Sequence, residues 1–265
     1  MAGVIALPAV YARAESRPSN ACRLESAGMG RVRAIIDGRS FTLDDGSEIR
    51  LAGIEVPLLS RPGESGAQAE AGVSARAALE SLLAGREVEL RQIAATADRY
   101  GRTLAFAYVA RDGVQRSVAQ EMLGRGFARV SARVGDRACA EELLVQERAA
   151  RQAKLGLWSE PYYAIVGAES AAELAAGRGR FTLVEGKVWS VRESGGTIYL
   201  NFGRQWSQSL TVTILKRHER AFAAAGLAPK RLENRRVRVR GWIEERNGPR
   251  IEAAHPEQLE IAERN

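Results

Sequence analysis

Short bursts of two-residue periodicity, broken once by a helical stretch after the third burst, most limit the folds open to this chain. Val32, Ala34 and Ile36 alternate with other residues, followed by Phe41 and Leu43 and then by Ile49 and Leu51, the pattern of strands with one buried face. Asp44-Asp45-Gly46-Ser47 supplies a hairpin turn between the second and third, its glycine accepting positive φ at little cost. Over 68–83 the period lengthens, so Ala75, Leu79 and Leu82 share one side of a helix that Gly85 stops. Val88 and Leu90, then Leu104, Phe106 and Tyr108, restore alternation, and Arg111-Asp112-Gly113 turns the chain again. Ser117 with Gln120 predicts a capping box on a short helix that buries Val118 and Met122. Cys139, Leu143, Ala150 and Ala153 stripe a longer helix ended by Gly156. Three strands, a helix, two strands and two helices predict an α+β fold, mainly β, closing as a five-stranded Greek-key barrel of the oligonucleotide-binding type.

The pattern returns in the second half. Residues 161–180, rich in Ala, Gly and Ser, read as a linker with room for a turn of helix. Beyond it Val184 and Val188, then Ile198, Leu200 and Phe202, then Leu210, Val212 and Ile214 alternate. A helix is expected over 216–225, then strands through Val237 and Val239 and through Leu259 and Ile261. The expected organisation is an arm with a possible signal segment over 1–21, a barrel with helices over 22–160, the linker, and a second, small, basic barrel over 181–265.

The formal charge is +7, and residues 180–265 hold 16 Lys and Arg against 10 Asp and Glu, so nearly all of the surplus lies in that last third. A field of this sign favours nucleic acid or another polyanion as partner. Arg236, Arg238 and Arg240 alternate with Val237 and Val239, placing three guanidiniums on one strand face as a candidate nucleic-acid stripe. Trp189, Tyr199, Phe202, Trp206 and Trp242 are candidate stacking surfaces beside it; the competing reading is a solvated charged face over an aromatic core.

No apolar run approaches the roughly 18 residues of a membrane span. Residues 4–12 are apolar and end in Ala12-Arg13-Ala14, a small-x-small cleavage pattern that predicts export to the periplasm or beyond. The missing basic leader argues instead for the cytoplasm. In an oxidising compartment Cys22 and Cys139 can form one disulfide; in the cytosol they read as two unrelated buried thiols. His218 and His255 stand far apart, without the spacing of a zinc site or of a histidine-activated nucleophile.

Four landmarks carry a resemblance: Gly30-Arg31-Val32-Arg33-Ala34-Ile35-Ile36-Asp37-Gly38; Ile49-Arg50-Leu51-Ala52-Gly53-Ile54-Glu55-Val56-Pro57; Asp98-Arg99-Tyr100-Gly101-Arg102; and Leu155-Gly156-Leu157-Trp158. In this order they resemble the staphylococcal nuclease (thermonuclease) family over about residues 30–158. The resemblance implies a calcium ion held by two carboxylates and a carbonyl, a glutamate that activates water, and two arginines that clamp the scissile phosphate. The arginines are matched by Arg50 and Arg102, whose planar forks suit phosphate.

The other positions depart from the pattern. Arg39 stands where the first calcium carboxylate is expected, and the second is the longer Glu55. At an effective dielectric of 20 and a separation of about 4 Å, a guanidinium repels a dication by ~8 kcal/mol. The calcium site is therefore expected to be lost, leaving no cofactor. Leu58 replaces the water-activating glutamate, a loss that typically costs ~10²- to 10⁴-fold; Glu64 in the next loop is the one candidate substitute. The family's stacking tyrosines are missing after Gly126, where Arg129 and Arg133 remain to attract phosphate. The leading expectation is thus a catalytically impaired nuclease homologue, a pseudoenzyme that binds nucleic acid or another polyanion. The alternatives are a phosphodiesterase still working through Glu55, Arg50 and Arg102 with another base or metal, and an exported envelope scaffold for protein contacts.

Overall fold

The computed structural model describes residues 21–59, 65–98 and 100–262. Of the arm with a possible signal segment expected over 1–21, residues 1–20 lie outside the described residues, as does the substitute base Glu64.

Chain order in the first half is β1 (Glu25–Ile35), β2 (Ser40–Leu43), β3 (Glu48–Leu51), β4 (Ile54–Glu55), α1 (Ala67–Leu83), β5 (Glu87–Gln92), β6 (Thr103–Arg111), β7 (Val114–Ser117), α2 (Val118–Gly124), β8 (Arg129–Val130) and α3 (Arg137–Gln152). β1 is long enough to serve two neighbours. Its first part pairs with β5 from Glu25↔Gln92 to Arg31↔Glu87, and its last part pairs with β2 from Val32↔Leu43 to Ile35↔Phe41. β2 pairs antiparallel with β3, β5 pairs antiparallel with β6, and the parallel pairing of β3 with β6 closes a five-stranded barrel. Inside lie Phe41, Ile49, Leu51, Val88 and Ala105, each at most 1% exposed. The helices form where the apolar spacing predicts them, and Ser117 Oγ and Asp136 Oδ1 accept from the third residue of α2 and α3 in turn. The Cys22–Cys139 disulfide links residues 117 apart in sequence and ties the lead into β1 to the first turn of α3. On chain-entropy grounds a loop of that length stabilises by about 4 to 5 kcal/mol.

The second half adds β9 (Val166–Gly167), α4 (Ala171–Ala176), β10 (Phe181–Lys187), β11 (Ser190–Ser194), β12 (Thr197–Asn201), β13 (Thr211–Leu215), α5 (Glu219–Ala224), β14 (Arg236–Trp242), β15 (Glu244–Glu245), β16 (Pro249–Glu252) and β17 (Leu259–Ile261). The connectivity repeats that of the first half. β10 and β11 together act as one bent first strand: β10 pairs with β14 and β11 with β12. β12 pairs with β13, the parallel pair β13–β16 lies where β3–β6 lies in the first barrel, and β15 returns along β16. This is a second small barrel of the same type around Val184, Leu200, Val212, Val237 and Ile251, all fully buried.

The 161–180 segment holds a short helix, α4, and packs on the second barrel: β9 adds a parallel strand beside β10, and Ala168 and Leu174 enter the second core. One expectation is corrected. The closing strand of the second barrel is β16, whereas β17 lies on the outer edge of β14. β16 escapes notice in the sequence because Pro249, Arg250 and Glu252 leave Ile251 as its one apolar residue.

Candidate functional site

Both arginines matched by the resemblance open onto one cleft of about 630 Å³. The parallel register sets Arg50 of β3 beside Leu104 of β6, which places Arg102, two residues earlier, on the same face. Between them Asp98 acts as a shared anchor. Its Oδ2 accepts from Arg102 Nε at 2.7 Å and lies 4.0 Å from an Arg50 terminal nitrogen, while its Oδ1 accepts from the backbone nitrogens of Tyr100 and Arg102. Burial would raise the Asp98 carboxyl, but the bonds from Arg102 and the two amides outweigh it and hold the group below its usual range. Arg102 is raised by the same bond. Arg50 is lowered by burial and then by the nearby Arg39 and Arg102, against the opposing pull of Glu55 and Asp37.

Arg39 reaches this cleft from the turn between β1 and β2. Its backbone nitrogen donates to Asp37 Oδ1 at 2.8 Å, and Leu51 N donates to its carbonyl at 2.8 Å. Gly38 allows the turn to lie flat on α1, since a Cβ there would fall 2.8 Å from that of Ala75. The Arg39 side chain, nearly buried, forms a salt bridge with Glu55 and lies 3.4 Å from the carbonyl of Ile54. Gly53, at φ +77°, turns the chain between β3 and β4 and packs where a Cβ would meet Leu143, so Arg50 and Glu55 face the same cleft. Leu58 is exposed and is not among the residues lining it.

The far wall comes from elsewhere. Arg133, exposed after β8, lines the cleft, and so does Trp242 at the end of β14, in the second barrel. Trp242 is 46% exposed and packs edge-on against Phe181 at 6.2 Å. Its place at the end of an alternating strand could have been read from the sequence; the cleft it lines could not.

Of the remaining arginines expected at a nucleic-acid surface, Arg129 and Arg240 are held inside, and Arg236 and Arg238 are paired with a carboxylate. Arg129 of β8 is buried, donates to the carbonyl of Phe181 at 2.8 Å and stacks on Tyr163 and Phe181, and its pKa is lowered to about 10 by desolvation. Arg240 is 1% exposed; its fork donates to both oxygens of Glu147 at 2.9 and 3.0 Å, to Glu260, and to the carbonyl of Val130. Burial alone would lower Arg240, but Glu147 and Glu260 drive it upward. Arg236 and Arg238 share Glu185. The three arginines alternate along β14 as expected, but the face they define is covered by α3 at Arg240 and neutralised by Glu185 at the other two, so the expected stripe offers phosphate no open cluster.

Residues 48–160 match the family model described as Staphylococcal nuclease homologue. The chain is also 30% identical over 187 residues to a protein of Verticillium alfalfae named "Probable endonuclease LCL3". That match takes in 68% of the chain, which spans 60% of the length of that relative. Among the described residues no helix is long and apolar enough to cross a membrane.

Proposed function

Residues 48–160 form a domain of the staphylococcal nuclease homologue family, and from that premise we propose that the chain binds nucleic acid in the Arg50–Arg102 cleft while cleaving it poorly. The observation that carries the reading is the Arg39–Glu55 salt bridge in the position where the family resemblance expects two calcium carboxylates. A hard dication requires six to eight oxygens. The residues present do not fit one: Glu55 is engaged by a guanidinium, and Asp37 Oδ1 already accepts from the Arg39 backbone. Leu58 can take up no proton in place of a general base. Four arginines against two carboxylates in the cleft lining still favour an anion, and a phosphate beside Arg50 would supply the countercharge that Asp98 alone does not. Trp242 adds an indole face to a cleft that Tyr100 also lines and that lacks the tyrosines expected after Gly126. The disulfide supports an oxidising compartment, the periplasm or outside the cell.

A second reading, a phosphodiesterase that still turns over, is favoured by the preserved Arg50–Asp98–Arg102 arrangement and by the name of the fungal relative. One experiment separates them. Single-stranded DNA is offered with calcium and with a chelator, to the wild type and to a double variant, Arg39→Asp with Leu58→Glu. The proposal expects binding that is indifferent to calcium and falls with salt, with cleavage rising by at least about 10²-fold in the double variant. Efficient calcium-dependent cleavage by the wild type would overturn it.

A further inference from the structure

We infer that the second barrel carries its own groove for single-stranded nucleic acid, across the face of β11, β12, β13 and β16. The inference is independent of the cleft, sharing no residue with it. The groove has a volume of about 580 Å³ and is lined by three aromatic residues, Trp189, Tyr199 and Trp206, and four arginines, Arg192, Arg204, Arg246 and Arg250. Trp189 and Trp206 are 45% and 58% exposed, although large indoles are normally covered in a small barrel. The guanidinium of Arg204 lies over the Trp189 ring at 4.6 Å, setting a cation and a stacking face at one point.

The floor is polar for a structural reason. Register aligns Ser190, Asn201, Thr211 and Arg250 in a row across the four strands. Asn201 donates to Ser190 Oγ at 3.2 Å, and Thr211 donates to Asn201 Oδ1 at 3.4 Å. Arg250 Nε, shielded from solvent, has no hydrogen-bond partner. Such a row can meet the edges of bases whose faces rest on the indoles. The rim is locked as well: Gly248, at φ +128°, lies so close to the neighbouring loop that a Cβ would fall 2.3 Å from the carbonyl oxygen of Trp206.

No carboxylate lines the groove. Glu244, opposite Arg250 in register, and Glu252, the next outward residue of β16, fall outside the lining; Glu169 lines a neighbouring depression beyond Trp189 and Arg204. The lack of a carboxylate disfavours a neutral oligosaccharide, whose hydroxyls are usually met by acids. The exposed ring faces favour bases over a base-free polyanion, and they favour a single strand because a duplex keeps its bases stacked on each other. The sequence signal was present in the alternation of Ser190 with Arg192 and of Tyr199 with Asn201.

The test measures binding of a short fluorescent oligothymidylate to the full chain in chelator, across a salt series, with melting curves to verify folding. In a cleft variant, Arg50→Gln with Arg102→Gln, binding at the groove is expected to persist. On that background Trp189→Ala and Trp206→Ala should each weaken it by roughly 5- to 100-fold. Arg192→Gln and Arg250→Gln should each flatten the slope of log K against log salt by about 0.7. Binding lost in the cleft variant, or unchanged in the tryptophan variants, would overturn the groove and leave the cleft proposal standing. Inorganic polyphosphate competing equally well in the wild type and in the tryptophan variants would also overturn it, as would preference for a neutral oligosaccharide or a protein partner. No binding by the wild type would overturn both sites.

Discussion

Arg39 and Arg240 are both nearly buried arginines facing glutamates, on opposite sides of one short strand pair. β4 pairs with β8 through Ile54↔Val130 and Glu55↔Arg129; Glu55 at its near end holds Arg39, and the Val130 carbonyl at its far end holds Arg240. Around Arg240 the accounts balance: Glu147, Glu260 and Glu141 meet Arg240, Arg151 and Arg148, and Glu147 also accepts from Val130 N at 2.6 Å. Around Arg39 they do not, since Arg50, Arg102 and Arg133 share the cleft with Glu55 and Asp98. Full pairing in a dry seam makes structure, and partial pairing in an open cleft leaves an attraction for an anion.

The comparison breaks most readily at its buried end. Arg240→Met keeps much of the side-chain volume but takes the two-toothed fork from Glu147, which is fully buried and is left with Arg151 and the Val130 amide. Removing one partner of a buried pair typically costs about 3 to 5 kcal/mol, and with Arg151 retained, denaturant unfolding should show a loss toward the lower end of that range. Adding Glu147→Leu should recover part of it, because the under-paired charge goes with it. A loss below about 1 kcal/mol in the single variant would mean that the seam is solvated and not the brace described here.

A smaller effect tests the same seam by pH. Burial would raise the Glu260 carboxyl, but Arg240 and Arg151 outweigh it and hold it below its ordinary 4.5. A carboxyl depressed in the folded state stabilises the fold above its unfolded value and loses that contribution as pH falls through the folded one. Melting temperature should therefore fall below about pH 4.5, and less steeply in Glu260→Gln than in the wild type. Parallel curves would remove Glu260 from the seam's electrostatics.

The seam also shows where sequence reading stops. Alternation located the barrel strands because each buries one face, and the helical period located α1, α2 and α3 for the same reason. It placed Arg236, Arg238 and Arg240 on one face but carried no word of what covers that face. A clue lay in α3: Glu147 continues the spacing of Cys139 and Leu143 at intervals of four, an acid on an apolar stripe. Such a residue needs a buried cation, and which one is a matter of long-range packing. Arg39 and Glu55 in the cleft, and Leu58 outside it, could be singled out through the family resemblance, whereas Asp98 as the common anchor and Trp242 as the far wall required the fold. The groove residues of the second barrel were visible as types, but β16, with one apolar residue, hid the strand that brings Arg250 to them.

The finest test compares arginines on a single strand. Arg236 and Arg240 lie four residues apart on β14, with side chains 51% and 1% exposed, and each contacts a glutamate. If burial and not pairing decides their worth, Arg236→Gln should change unfolding free energy by no more than about 1 kcal/mol, the range of an exposed ion pair. Glu185 would retain Arg238 as partner, so no charge is stranded. Oligothymidylate affinity should also hold, because Arg236 lines neither the cleft nor the groove. A marked loss of affinity with stability unchanged would restore the basic stripe as a binding surface and show that Glu185 yields its arginines to a phosphate.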